Sequence, residues 1–317
     1  MTVDHPIFVR LSLLLTFLVF AGSLPSTILA EGNTGIGGGL PPSVDATIIG
    51  ATAVNIRKCP KFSCKVIASA KLGELVVVTG EPVNSFTPVR YGDVSGFAYD
   101  LFLGRSGVPV PRFIEGAPGC KRIALIFNIG QGFQPSTGIL DILERQDVPA
   151  TMFVMGWWAE QNPDLLKRMV DQGLEIGSHG EEGIPLTQRT DEAVKQDVRT
   201  AAAKISAVIG DDLGPAFTPY AAAMDDRVRA LVASTGYLPV NWRITSNDWN
   251  YDATAEAIWN NVVPNAYDGG IVEFHFDGPA TETSTQRALP WILDALRQRG
   301  YQFVTISDMM LPCGVSE

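Results

Sequence analysis

Three places in this 317-residue sequence bring together residue types that do chemistry. "LEIGSHGEEG" sets His179 beside Glu181 and Glu182, and "EFH" sets Glu273 two residues before His275. Asp248-Trp249 forms a third, in "ITSNDWN". An imidazole near a carboxylate is equipped for proton transfer, and the same groups are ligands for divalent metals. A fourth place is notable for what it holds instead. "IALIFNIGQG" (123–132) reads as a buried strand entering a Gly-marked turn, a spot where many α/β enzymes keep a catalytic carboxylate. Here it carries Asn128, which cannot take a proton near neutrality, and Ile129, which has no ligand atom.

The elements that must position these residues alternate regularly. "RIALIFN", "PATMFVM", "LEIGSH", "PAFTPY", "LPVNW", "GGIVEFH" and "YQFVTI" read as strands. Between them lie the helical patterns "STGILDILERQ", "NPDLLKRMVDQG", Thr190–Ile209, "DDRVRALVASTG", "ATAEAIWNNVV" and "TQRALPWILDALRQRG". Asn162-Pro163 and Asp225 mark helix starts, and Gly173, Gly236 and Gly300 mark helix ends. Repeated βα units predict an α/β fold, a (β/α) barrel with its helices outside. A site in such a barrel lies at the C-terminal strand ends. Those ends are Asn128, His179, Tyr220, Asp248 and His275. The pair Trp157-Trp158 reads as packing.

"ATMFVMGWWAEQNPDLLKRMVDQGLEIGSH" and "ALPWILDALRQRGYQFVTISDMM" resemble the polysaccharide deacetylase family, the NodB-homology domain, over nearly all of 119–312. The resemblance implies an irregular (β/α) barrel. It also implies metal-dependent removal of acetyl groups from sugars, with a divalent ion held by one Asp and two His, an Asp base and a His acid. Carried over one by one, the base position is Asn128 and the metal-binding Asp is Ile129. One metal-binding His survives as His179, while Gly183 stands for the other. The Arg that steadies the base is Phe217. The fourth motif keeps Asp248-Trp249 but has Thr245 for its leading Asp, and the fifth is Glu273-Phe274-His275, retaining the acid. Three protein ligands are usual at a catalytic zinc, and His5, the one other histidine, falls in the N-terminal leader.

The residues also allow other readings. Glu181, Glu182 and Glu273 could furnish a rewired oxygen-rich site suited to Mg or Mn rather than Zn, against Glu181 and Glu182 as solvated loop charges. His179 is a lone ligand or a remnant hydrogen-bonded at a strand end. His275 and Asp248 are an acid with the group that tunes it, or a structural polar pair. Tyr220 and Trp249 are placed to stack on a sugar ring, or belong to the core.

Upstream, the composition changes. "LSLLLTFLVFAGSL" after Arg10 reads as a secretory signal over 1–30, with cleavage near Ala30, or as an uncleaved anchor. Residues 31–45 are a Gly/Pro-rich linker, and 106–118 are a second. Between them, 46–105 alternate with period two and predict a small all-β barrel. "AVNIRKCPKFSCKVIASAKLGELVVVTG" and "GFAYDLFL" are similar to the bacterial SH3-like family, which implies a module docking on cell-wall peptides or glycan, or an inert spacer. The deacetylase-like domain is then 119–317.

Four cysteines fit export. Cys59 and Cys64 are near enough for a local clip. If the large domain closes into a barrel, Cys120 before its first strand meets Cys313 after its last. The net charge of -10 would repel nucleic acid, and no segment beyond the N-terminal one is long and apolar enough to reach into a membrane.

Three functions remain open. The first is an exported homologue of impaired catalysis that binds peptidoglycan or a chitin-like glycan without a cofactor. The second is an active carbohydrate deacetylase with a rewired Zn, Mn or Mg site. The third is a structural wall protein.

Overall fold

Burial on both faces makes the central strand. The computed structural model describes residues 44–105, 110–210 and 213–315. Within it β8, Arg122–Ile129, is buried at every position, as an unbroken apolar run at the middle of a parallel sheet must be.

The large sheet has β9 (Thr151–Val154), β10 (Glu175–Ser178), β11 (Leu213–Phe217) and β12 (Leu238–Pro239) on one side of β8. β14 (Gly270–His275) and then β13 (Ile244–Thr245) lie on the other. Outside it pack α1 (Thr137–Arg145), α2 (Gly156–Gln161), α3 (Pro163–Asp171), α4 (Asp191–Ile209), α5 (Asp226–Ser234), α6 (Ala255–Val262) and α7 (Gln286–Gln298). Pro163 opens α3, and the Asp225 carboxylate caps α5 by accepting from the Val228 N–H at 2.7 Å.

The sheet curls without closing into a barrel. β12 and β13 are at opposite ends of the strand order, yet only residues 240–243 join them. That connection reaches about 17 Å at most, so the two ends must approach one another. The expected strand at 238–242 is therefore only two residues long, and Ile244–Thr245 is a strand that local pattern does not reveal. Both are too short to carry a period. The stretch 110–118 runs beside β12, with the Phe113 N–H donating to Pro239 O at 3.0 Å and the Asn241 N–H to Phe113 O at 2.8 Å.

β15 (Gln302–Val304) takes the stretch of β8 that β9 leaves free, pairing Arg122–Ala124 while β9 pairs Ile126–Ile129. This placement, rather than barrel closure, brings Cys120 and Cys313 together. After α8 (Ile306–Met310), Cys313 is bonded to Cys120 across a separation of 193 residues. Opening that loop by Cys120→Ser with Cys313→Ser is expected to remove roughly 3–5 kcal/mol of stability. A urea midpoint equal to that of the parent protein would contradict this.

The second sheet is antiparallel and all-β. It comprises β1 (Val44–Ile48), β2 (Ala53–Arg57), β3 (Val66–Lys71), β4 (Leu75–Val78), β5 (Phe86–Tyr91), β6 (Val94–Tyr99) and β7 (Leu103–Arg105), in the order β3-β2-β6-β5-β4-β1-β7. A Cys59–Cys64 disulfide closes the β2–β3 turn. Its core is continuous with the inner face of the curled sheet: Ile48, Ile49 and Phe102 belong to one buried cluster with Ile126, Phe153 and Leu238. The 1–30 leader and most of the 31–45 linker lie outside the described residues, although β1 already begins at Val44. Among the described residues no helix is long and apolar enough to cross a membrane.

Candidate functional site

Strand parity builds the site. Along β8, Ile123, Leu125, Phe127 and Ile129 pack under the outer helices, whereas Ala124 and Ile126 face the inner cluster. Asn128 shares the inward parity. On β14, Val272 and Phe274 go outward, so Glu273 and His275 point inward, and His275 is in register with Asn128. Two period-two patterns thereby converge on a cleft of ≈ 720 Å³ at the C-terminal strand ends. It is lined by Asn128, His179, Tyr220, Trp249, Glu273 and His275 among others.

His275 is held from both ring nitrogens. Nδ1 is 2.7 Å from Asp248 Oδ1, and Nε2 is 3.3 Å from Glu273 Oε1. Asp248 is wholly buried and also accepts from the His275 backbone N–H at 3.0 Å and the Thr285 hydroxyl at 2.8 Å. Glu273 accepts from Thr245 Oγ1 at 2.6 Å, with the Asn128 side chain close enough to favour its charged form. Burial pushes the His275 ring toward neutrality, but Glu273 and Asp248 outweigh it and raise it to about 9. At neutral pH the ring is an imidazolium that donates its Nδ1 proton to Asp248 and keeps Nε2 in ion-pair range of Glu273. Burial drives the Glu273 carboxyl above its ordinary range, opposed by that imidazolium.

His179 is neutral. Burial, and then the charge of His275, lower it to about 3. Its Nδ1 lies 2.8 Å from Thr218 Oγ1, whose proton goes to Asn128 Oδ1 at 3.0 Å. Nδ1 must therefore be the protonated nitrogen, leaving Nε2 as an acceptor. One polar chain runs His179–Thr218–Asn128–Glu273–His275–Asp248 across the cleft floor.

Not every expected residue joins it. Ile129 is fully buried among apolar side chains, Phe217 is fully buried in a separate cluster, and Trp158 is core. Glu181 is not a solvated charge, because its side chain is 13% exposed and pairs with Lys204 at 2.7 Å. Asp197 fixes this loop by accepting the Glu181 and Glu182 N–H groups at 3.0 and 3.2 Å. Glu182, half exposed, pairs with Arg189 at 3.2 Å. Tyr220 opens a 3-10 turn just past β11, and Asp248 sits in the loop after β13 rather than at a strand end.

Some contributors carry no motif. Asp277, wholly buried, accepts the N–H groups of Gly130, Gln131 and Gly132 at 2.9, 3.1 and 2.9 Å and so fixes the rim after β8. Gly130 is required there: φ is +135°, and a Cβ would stand 2.5 Å from Met155. Asp277 continues the alternation of Glu273 and His275, which is the signal that could have found it.

A divalent ion, as the family resemblance implies, finds a poor donor set. Of its three ligand positions, Ile129 is hydrocarbon, Gly183 has no side chain, and His179 alone has a lone pair to give. Among the described residues no cluster of three or more His, Cys, Asp or Glu could hold a metal. The residues present do not fit the ion.

This curled parallel β/α sheet is the class of fold seen in a family 4 carbohydrate esterase from Streptomyces lividans, with TM-score 0.52 and 26% identity over 58% of this chain and 92% of that one. The model of the polysaccharide deacetylase family matches residues 115–240. A peptidoglycan-N-acetylglucosamine deacetylase of Bacillus cereus is 31% identical over 192 residues, covering 60% of this chain and 88% of that protein. The peptidoglycan-N-acetylglucosamine deacetylase PgdA of Listeria monocytogenes is 33% identical over 240 residues, 74% of this chain. This chain spans about half of that relative's length, 48%. Among solved structures, a CE4 family pseudoenzyme from Bacillus anthracis shares the fold, with TM-score 0.58 and 24% identity over 64% of this chain and 69% of that one. The chain belongs to the polysaccharide deacetylase family.

Proposed function

We propose that this family member acts in the cell envelope by binding polysaccharide, peptidoglycan or a chitin-like glycan, and is impaired as a metal-dependent deacetylase. One observation carries the reading. The position of the metal-binding Asp is Ile129, completely buried in the hydrocarbon layer, while the cleft beside it stays open. The base position is an amide, Asn128, already engaged by Thr218 and Glu273. The relatives' activity on peptidoglycan indicates the glycan class and an extracytoplasmic setting, to which the leader at 1–30 would deliver the chain. The domain division at 46–105 and 119–317 is part of the same proposal. The seven short antiparallel strands of the first segment suit a bacterial SH3-like wall-docking module, and the two disulfides suit an oxidising compartment.

The second reading, a rewired hydrolase, is favoured by the buried Asp248–His275–Glu273 array, whose imidazole is paired as an acid would be. Against it, the Nδ1 proton is committed to Asp248 and Nε2 is turned to within 3.3 Å of Glu273.

Trp249 is 52% exposed at the cleft and Tyr220 lines it, an arrangement suited to stacking on sugar. Binding of a peptidoglycan oligosaccharide, followed by calorimetry, is expected to weaken about tenfold in Trp249→Ala and in Tyr220→Ala. Unchanged affinity in both would favour the structural wall-protein alternative.

A further inference from the structure

The cleft's chemistry specifies more than a sugar. Glu273 is the residue that sets it apart, because its carboxylate enters the floor from β14 and meets Asn128, Thr245 and His275. The Nδ1 proton of His275 goes to Asp248 and its Nε2 stands 3.3 Å from Glu273, and Ile129 offers no metal ligand. The carbonyl of an N-acetyl group would thus meet no metal, and the one imidazole N–H left to it, at Nε2, is held in ion-pair range of Glu273. An ammonium group fares differently. A carboxylate has about four lone-pair sites; the Thr245 hydroxyl holds one and His275 stands in ion-pair range of another, leaving capacity for a further donor from the cleft.

The surroundings agree. Apart from the His275 imidazolium, the described residues lining the cleft include no cation, neither Lys nor Arg, to compete for that carboxylate. The rim is aromatic: Phe133, Trp249 and Tyr251 are 40%, 52% and 75% exposed, and Phe133 and Tyr251 meet edge to face at 5.6 Å. Such rings stack on the apolar faces of sugars and attract cations through their π faces. The whole chain, at -10, draws a polycationic strand toward itself.

We propose that the cleft selects glycan whose hexosamine units carry free amines, Glu273 receiving the ammonium and the aromatic rim holding neighbouring rings. The chain would read the product of N-deacetylation, so a deacetylating reaction must precede it. This rests on the glycan-binding reading above.

Calorimetry with two probes tests it: a tetramer of β-1,4-linked glucosamine and the same tetramer fully N-acetylated. The amine-bearing tetramer is expected to bind at least about tenfold more tightly, and Glu273→Gln should bring the two within about twofold. A series on the unaltered protein from about pH 5 to about pH 8, across the titration of an amine, reads the same contact without substitution. Affinity should fall for the amine tetramer only. Equal or tighter binding of the N-acetylated tetramer would overturn the amine assignment and leave glycan binding standing. A preference that survives Glu273→Gln, or that ignores pH, would overturn Glu273 as its source. Binding of neither tetramer while a peptidoglycan oligosaccharide still binds would overturn the amine assignment alone, and binding of none of the three would overturn both readings.

Discussion

Asp248→Ala is expected to destabilise the protein by about 3–5 kcal/mol, because it leaves the His275 imidazolium partly unpaired in a buried site and strands the Thr285 hydroxyl. For a chain of this size that lowers the thermal midpoint by roughly 10 °C. The effect has a pH signature. The folded pKa of His275, about 9, lies above its unfolded value of 6.5. Its contribution is therefore fully present below pH 6.5 and is lost as pH rises through about 9, amounting to roughly 3 kcal/mol. His179 works in the opposite sense. Its folded value of about 3 lies below 6.5, so its contribution is present above pH 6.5 and is lost as pH falls toward 3. The two rings together favour stability near pH 6.5. Denaturant melts across this range should show the alkaline limb flattened in Asp248→Ala and the acid limb retained. A variant whose alkaline limb matches the parent's would contradict the His275–Asp248 pairing.

The second large effect concerns the metal. Ile129, at the strand end, also lines the cleft, so Ile129→Asp combined with Gly183→His would offer, with His179, three donors of the kind a catalytic zinc takes. A side chain at 183 has room, since its Cβ would meet the Tyr220 ring at 3.5 Å, an ordinary contact. The parent chain should bind no zinc at about 1 mM, and the double variant should reach about micromolar affinity or tighter, a difference of about 4 kcal/mol. Burying a carboxylate at 129 costs the metal-free variant several kcal/mol, so zinc should raise its melting midpoint while leaving the parent's unmoved. Failure of the variant to bind zinc would show that 129 and 183 are not the ligand positions.

Much of this was legible in the sequence, for reasons that differ by residue. The unbroken apolar run of β8 and the boundaries at Asn162-Pro163, Asp225 and Gly173 depend on local chemistry, and each stands where the pattern places it. β12 and β13 do not, because two residues carry no period and are strands only by virtue of their neighbours. Their four-residue junction draws the two ends of the sheet toward one another and so makes it curl. In the cleft, the inward convergence of Asn128, Glu273 and His275 follows from alternation alone. The engagement of Glu273 with Asn128, and of Thr218 with both His179 and Asn128, depends on segments tens of residues apart whose separation in space no local pattern encodes. Glu181 shows the same limit, since nothing near it in sequence announces Lys204.

Acetate release tests the central claim most directly. The native chain would be incubated with N-acetylated peptidoglycan oligomers and saturating zinc or manganese, and acetate followed to many turnovers. The account predicts no release above the protein-free control with either metal, while the same oligomers are bound in the cleft. Metal-dependent release that disappears in His179→Ala would contradict it and establish a rewired catalytic site.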